Sequence, residues 1–272
     1  MSLRIVVCAK EVLDPDAVNN YALEGKLVIG DDGKSLTQAS IPRLMNAYDE
    51  QAIEAALRIR ETGTACTITV VSVGDGLDIL KHAASLGVDE PVAIAADAGA
   101  LDHHGVARLL AAFVQSRGGA DLVLCGRQAS DDDQGVVPAL LGEHLGLPVV
   151  TIARSVDVTA AGDAFGVRVV RVTPDGDETV AVGAPAIVTI SNELGQARYP
   201  TMAGRMAARK KKIASVTPAD LGVAPDALRP RVSVVKQFVP TVKSTCEIIA
   251  GGTPAEAAAN LIARLRAESV LR

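Results

Sequence analysis

The residues best placed to do chemistry lie in one stretch, LCGRQASDDDQG at 124–135. Here three consecutive aspartates, Asp131, Asp132 and Asp133, follow an apolar run and precede VVPALLGEHLG. The first part reads as a strand and the last as a helix. Their junction is where an open α/β sheet turns free N–H groups toward an anion. Carboxylates aimed at a phosphate would repel it, so the backbone amides of residues about 133 to 137, at the positive end of the helix, are the expected anion ligands. The three carboxylates then divide other tasks: one caps the helix, one accepts from donors of the bound ligand, and one stays in solvent.

Other candidate chemistry is sparse. GDDGKS (30–35) lacks the spacer between glycines that a phosphate loop needs and reads as a polar turn. VSVGDGLD (71–78) has a GxG between strand and helix, but Ile79 stands where the dinucleotide fingerprint requires glycine. It is a strand-to-helix turn, with or without a ligand beside it. His82, His103, His104 and His144 pair with no Cys or Ser in a nucleophilic arrangement and read as surface or packing residues. GxSxG and HExxH motifs are absent, and no paired-carboxylate geometry can be inferred. Cys8, Cys66, Cys125 and Cys246 are scattered without a CxxC, as suits free thiols in a reducing compartment; no metal site is expected. A net charge of −5 argues against general nucleic-acid binding, so the RKKK run at 209–212 reads as a solvated or partner-docking segment.

The elements that must position these residues follow from hydrophobic patterning. Aromatic residues make up only 2% of the 272 residues and hydrophobic ones 49%, so the core is built from Ala, Val, Leu and Ile. LRIVVCAK (3–10), TITVVSVG (67–74), ADLVLCG (120–126) and PVVTIA (148–153) read as buried parallel strands. Between them, 46–63, 77–87 and 104–119 carry helical patterns that end at glycines. The fold class is therefore α/β: a doubly wound, mainly parallel sheet. Alternating runs at about 154–184, with turns at Gly162-Asp163 and Pro174–Asp177, predict a small antiparallel meander, and AIVTIS (186–191) a last core strand. Residues 192–213 show no clear periodicity, and 214–272 read as an arm with a capped terminal helix that packs on something else. No apolar run approaches the roughly 20 residues of a membrane helix, and a cytoplasmic location is expected.

Taken together, LRIVVCAKEV, MNAYDEQAIEAALRIRE, SLGVD, DLVLCGRQASDDDQG and ARYPTMAGRMAARKKKI followed by PADLGV resemble the β subunit of electron transfer flavoprotein, including its nitrogen-fixation-associated branch, nearly end to end. That resemblance implies a Rossmann-like sheet of the adenine-nucleotide-binding type, and an electron carrier rather than an enzyme. It would form a heterodimer with an α subunit that holds most of a shared FAD, and carry an AMP in its own fold. Bifurcating members hold a second FAD instead and oxidise NADH. By position, the adenine-nucleotide site would be lined by Cys8 and Ala9, by Asn46, Ala47, Tyr48 and Asp49, and by Val73. It would continue through Gly126, Arg127, Gln128, Ala129, Ser130, Asp131, Asp132, Asp133, Gln134, Gly135, Val136 and Val137. These are the strand-end loops reached from patterning, plus one helix start.

Residues 192–213 correspond to the loop that docks flavin dehydrogenases such as acyl-CoA dehydrogenases, with Met202 as its apolar anchor and Lys210, Lys211 and Lys212 beside it. An electron-accepting quinone reductase would be the downstream partner. The region near Asp14 approaches the α-subunit FAD in the family, but Pro15 replaces the aromatic of the mitochondrial type, and no direct flavin contact is expected from it. Gly135, Val136 and Val137 stand where AMP-type members carry Asn, Gln and Thr, and Val136-Val137-Pro138 departs from the Val-Gly-Pro of bifurcating members. AMP is the favoured occupant and a second FAD the alternative. The domain plan is 1–191 for the nucleotide-binding domain, 192–213 for recognition and 214–272 for the arm.

Overall fold

β-branched runs without polar interruption form strands covered on both faces, and here they lie at the centre of one sheet. The computed structural model describes residues 2–37, 40–162, 164–240 and 246–271. In chain order it opens with β1 (Leu3–Cys8), β2 (Glu11–Leu13), α1 (Pro15–Leu23), β3 (Arg43–Met45), α2 (Ala47–Glu61) and β4 (Cys66–Val73). It continues through α3 (Leu77–Leu86), β5 (Glu90–Ile94), α4 (His103–Ser116), β6 (Leu122–Gly126) and α5 (Val137–Leu145). Then follow β7 (Val149–Ala161), β8 (Ala164–Thr173), β9 (Gly176–Gly183), β10 (Ala186–Ile190), α6 (Met202–Lys210), β11 (Ala214–Val216) and α7 (Pro254–Ala267).

Among the described residues nine strands form one sheet in the order β11-β5-β4-β1-β6-β10-β7-β8-β9. Every pairing from β11 to β7 is parallel, and the last two are antiparallel. The doubly wound sheet expected from the pattern is therefore present. Strand alternation divides its core: Leu3, Ile5 and Val7 of β1 share a cluster with Ile53 of α2 and Leu80 of α3, whereas Val6 and Cys8 share the other with Phe113 of α4 and Leu141 of α5. Helices thus cover both faces.

The meander is the far edge of the same sheet: β7 pairs with β10 over its first residues and with β8 from Ala153 onward. The final core strand, β10, slots between β6 and β7. Asp163 of the expected Gly162-Asp163 turn lies outside the described residues. β5 was not expected, because Pro91 interrupts a five-residue run; it sits between β4 and β11. Neither was the small β2–β3 hairpin-like pair expected, whose three-residue strands are too short to show alternation.

Past residue 213, where an arm was expected, β11 extends the sheet beside β5, and Val223 is buried in the α4 side of the core. The chain divides into two compact units, Met1–Gln237 and Phe238–Arg272. In the second, α7 begins at Thr253, whose hydroxyl accepts from the Glu256 amide, while Glu256 reaches back to the Gly252 amide at 2.8 Å, so the capped terminal helix is observed. Residues 241–245 of the expected arm lie outside the described residues. Among those described, no helix is long and apolar enough to cross a membrane, and no group of three or more His, Cys, Asp or Glu is placed to hold a metal ion.

Candidate functional site

The chain leaves β1 toward β4 and β5, then returns to β6 on β1's other side. That reversal opens a crevice beyond the carboxyl ends of β1 and β6, the usual ligand position in such sheets. A cavity of about 230 Å³ lies there, walled by Cys8, Ala9 and Lys10 after β1, Val73 at the end of β4, and Gly126 at the end of β6. The three loops expected along one edge thus meet at one cavity.

The start of α2 ties the walls together. Asp49, in the first turn, is almost fully buried, and its two oxygens accept from the amides of Lys10 at 2.8 Å and Gly126 at 2.9 Å. Burial pushes its carboxyl up to about 7, against the opposing pull of the Lys10, Asn46 and Gly126 hydrogen bonds and the Lys10 charge. Asn46, the N-cap residue, makes no side-chain cap; its amide donates to the Gln128 carbonyl at 2.8 Å and its oxygen accepts from the Ser130 amide at 3.3 Å. One helix start therefore holds both the β1 loop and the aspartate loop. Gly126 is required by contact: a Cβ there would meet the Asp49 carboxylate at 2.4 Å and Tyr48 Cβ at 2.7 Å.

The three aspartates are placed differently from the expectation. The N-cap of α5 is Val136, with no side-chain cap, so none of the three caps the helix. Lys10 instead pairs with two of them, with Nζ at 2.7 Å from Asp131 and 3.5 Å from Asp132, while Asp133 accepts from Gln128 Nε2 at 2.7 Å. Lys10 escaped notice because it follows a strand far from the loop in sequence. The Asp133 amide is spent on the Ala129 carbonyl and the Gln134 amide on Asp132, which removes both from the expected anion ligands. The amides of Gly135, Val136 and Val137 have no partner among the described residues and remain. Gly135 takes φ +61°, and a Cβ would meet the Arg127 carbonyl at 2.8 Å. The turn stands directly before Val136 and Val137, and all three residues line the cavity.

Of the expected site residues, Asn46, Asp49, Gln128, Ala129, Asp132, Gln134, Gly135, Val136 and Val137 also line the cavity. Ala47, Tyr48, Arg127, Ser130, Asp131 and Asp133 stand outside its wall. They build it from behind: the Arg127 guanidinium lies 5.9 Å from the Tyr48 ring centroid, and Ser130, Asp131 and Asp133 hold the loop as described. Sequence reasoning missed the opposite wall, formed by Ala98, Leu101, Asp102, His103, Val106 and Leu110 around the start of α4. The signal was the Asp-His-His at that helix start, read as surface. Asp102 caps α4 through Gly105 and accepts from the Arg231 and Val232 amides; although burial raises its carboxyl, these three donors hold it below the ordinary range. Cys125 also lines the floor, beside Cys8; that neighbour and burial push its thiol well above the usual range.

In the 192–213 segment, a loop was expected and α6 is observed, capped by Thr201 on the Gly204 amide; nine residues are too few for a periodic pattern to stand out. Met202 is 75% exposed at its first turn, beside exposed Tyr199 and Met206. Lys210 and Lys212 are exposed, whereas Lys211 is half-buried with Nζ on the Val88 carbonyl at 2.8 Å. The segment is anchored to the same α2 helix: Arg58 donates to the Leu194 and Gln196 carbonyls, and Arg198 binds Glu54 at 2.7 Å and Glu61 at 2.6 Å. Burial raises the Glu54 carboxyl, but Arg198 and Arg58 outweigh it and leave it below the ordinary range.

Comparison with known proteins bears on what this arrangement serves. The family model described as "Electron transfer flavoprotein domain" matches residues 35–221. The caffeyl-CoA reductase-Etf complex subunit CarD of Acetobacterium woodii is 30% identical over 99% of this chain and all of its own length. The electron transfer flavoprotein subunit beta of Thermoanaerobacterium thermosaccharolyticum is 32% identical over 99% of this chain and all of its own, and that of Bradyrhizobium diazoefficiens 30% over 98% and 99%.

Proposed function

The chain belongs to the electron transfer flavoprotein family, as a β subunit, and from that premise we propose that it pairs with an α subunit, shares an FAD with it and holds a structural AMP in the cavity beyond β1 and β6. The observation that carries the AMP is the row of partnerless amides at Gly135–Val137, opening a helix beside carboxylates already engaged by Lys10 and Gln128. The fit is chemical. An anion finds N–H donors, and an adenine finds the apolar wall of Val106 and Leu110.

The FAD supplies the redox chemistry, and the protein supplies binding and orientation. In this chain Asp49 and Asn46 keep the two cavity loops in register, and Lys10 holds the aspartate loop against β1. Flavin dehydrogenases of the acyl-CoA type are the proposed donors, docking at Met202 with Lys210 and Lys212 beside it; a quinone reductase is the proposed acceptor. The name of the Acetobacterium relative sets that protein in a complex with a caffeyl-CoA reductase, which supports a partner acting on CoA thioesters, whether donor or acceptor. The terminal unit, with Leu261 and Ile262 of α7 exposed, supplies apolar surface for the α subunit. A cytoplasmic carrier, not an enzyme, is the resulting role.

Co-expression with the α subunit, followed by denaturation and identification of the released nucleotides, tests the reading. One FAD and one AMP per heterodimer are expected, with no flavin reduction by NADH. Two FAD and NADH-driven reduction would replace it with the bifurcating alternative, which Val136 and Val137, lacking polar side chains for a monophosphate, leave as the competitor.

A further inference from the structure

We propose that His103 and Gln134 form a lip across the phosphate end of the cavity and select a nucleoside monophosphate over a nucleoside diphosphate; the inference rests on the nucleotide reading above. The imidazole Nε2 of His103 meets the side-chain Oε1 of Gln134, and both residues line the cavity. Gln134 immediately precedes the free amides of Gly135–Val137, which fix the anion end. His103 is the first residue of α4, which packs against α5, so the contact joins the start of α4 to the loop that enters α5.

Neither side of the lip is a loose arm. Asp102, directly before His103, is buried and takes the amides of Gly105 at 2.9 Å, Arg231 at 2.6 Å and Val232 at 3.0 Å. That pins the first turn of α4. On the other side, the Gln134 amide is fixed by the Asp132 carboxylate at 3.3 Å, and the aspartate loop by Lys10. With Oε1 of Gln134 accepting, the imidazole carries its proton on Nε2. A monophosphate ends at the helix amides and leaves the pair joined. A second phosphate continues outward and must part His103 from Gln134, which costs the diphosphate one hydrogen bond.

The test uses the heterodimer stripped of exchangeable nucleotide, with AMP and ADP binding measured by calorimetry. Wild type should prefer AMP. His103→Ala should raise the ADP-to-AMP affinity ratio roughly fivefold, the factor for one net hydrogen bond. Gln134→Ala, at an exposed position, should do the same, and the double variant should gain no more than either single one. An unchanged ratio in both single variants, or additive gains in the double, overturns the lip while leaving the nucleotide site standing. A wild-type complex that binds neither nucleotide removes the site itself and the lip with it.

Discussion

Replacing Asp49 by Asn should change how stability varies with pH more than it changes stability at any one pH. The folded protein holds this carboxyl at about 7, against an ordinary 3.8, because burial disfavours its charge. Between those values the folded state keeps a proton that the unfolded chain has released. The associated stabilisation is fully present below about pH 3.8 and is lost as pH rises through about 7. At about 1.4 kcal/mol per tenfold change in proton affinity, the interval amounts to about 4 kcal/mol. Asparagine cannot ionise, so the variant lacks this slope. It also leaves either the Lys10 or the Gly126 amide without an acceptor, at a cost of about 1–3 kcal/mol that does not vary with pH. Urea unfolding of both complexes, followed by circular dichroism from about pH 4 to about pH 8, reads the difference. Wild type should be the more stable at the acidic end, and the gap should close or reverse toward the alkaline end. Glu54 and Asp102, held below the ordinary range, lose their contributions only in acid and do so in both proteins. Parallel profiles for the two proteins would refute the assignment of a buried, proton-retaining latch.

Gly126→Ala forces a Cβ to 2.4 Å from the Asp49 carboxylate; stability should fall by about 1–3 kcal/mol in denaturant titration, and retained nucleotide should fall with it. Glu54→Ala removes the carboxylate that Arg58 and Arg198 share, so about 2 kcal/mol should be lost on thermal unfolding, with electron transfer from a partner dehydrogenase slowed because the 194–198 segment loosens. Met202→Glu places a charge on the exposed anchor; stopped-flow rates of flavin reduction by the dehydrogenase should drop at least severalfold while nucleotide content stays the same.

The strands that carry the site were legible because they are the parallel core of the sheet: β1, β4 and β6 are continuous apolar runs, and their ends lead to the cavity loops. The part of the site that depends on distant partners was not. Lys10 stands 121 residues from Asp131 in the chain, and nothing local to either residue marks their ion pair. The wall at Asp102 and His103 was hidden for a different reason: a helix start that caps itself looks the same whether or not a cavity lies beyond it. Short elements escaped as well, since the nine residues of α6 and the three of β11 give too few positions for a period to emerge. The aspartate run was noticed for its charge, yet its carboxylates are engaged by Lys10 and Gln128, and the group proposed to hold the phosphate is the backbone after them.

That last point is the central claim, and amide hydrogen exchange tests it most directly. The nucleotide-stripped heterodimer is compared with the same complex saturated with AMP and, separately, with adenosine. If the amides of Gly135, Val136 and Val137 hold the phosphate, AMP should slow exchange at those positions strongly and adenosine should leave them near the stripped value. Equal protection by AMP and adenosine, or protection by AMP everywhere in the cavity except at these three amides, would contradict the account.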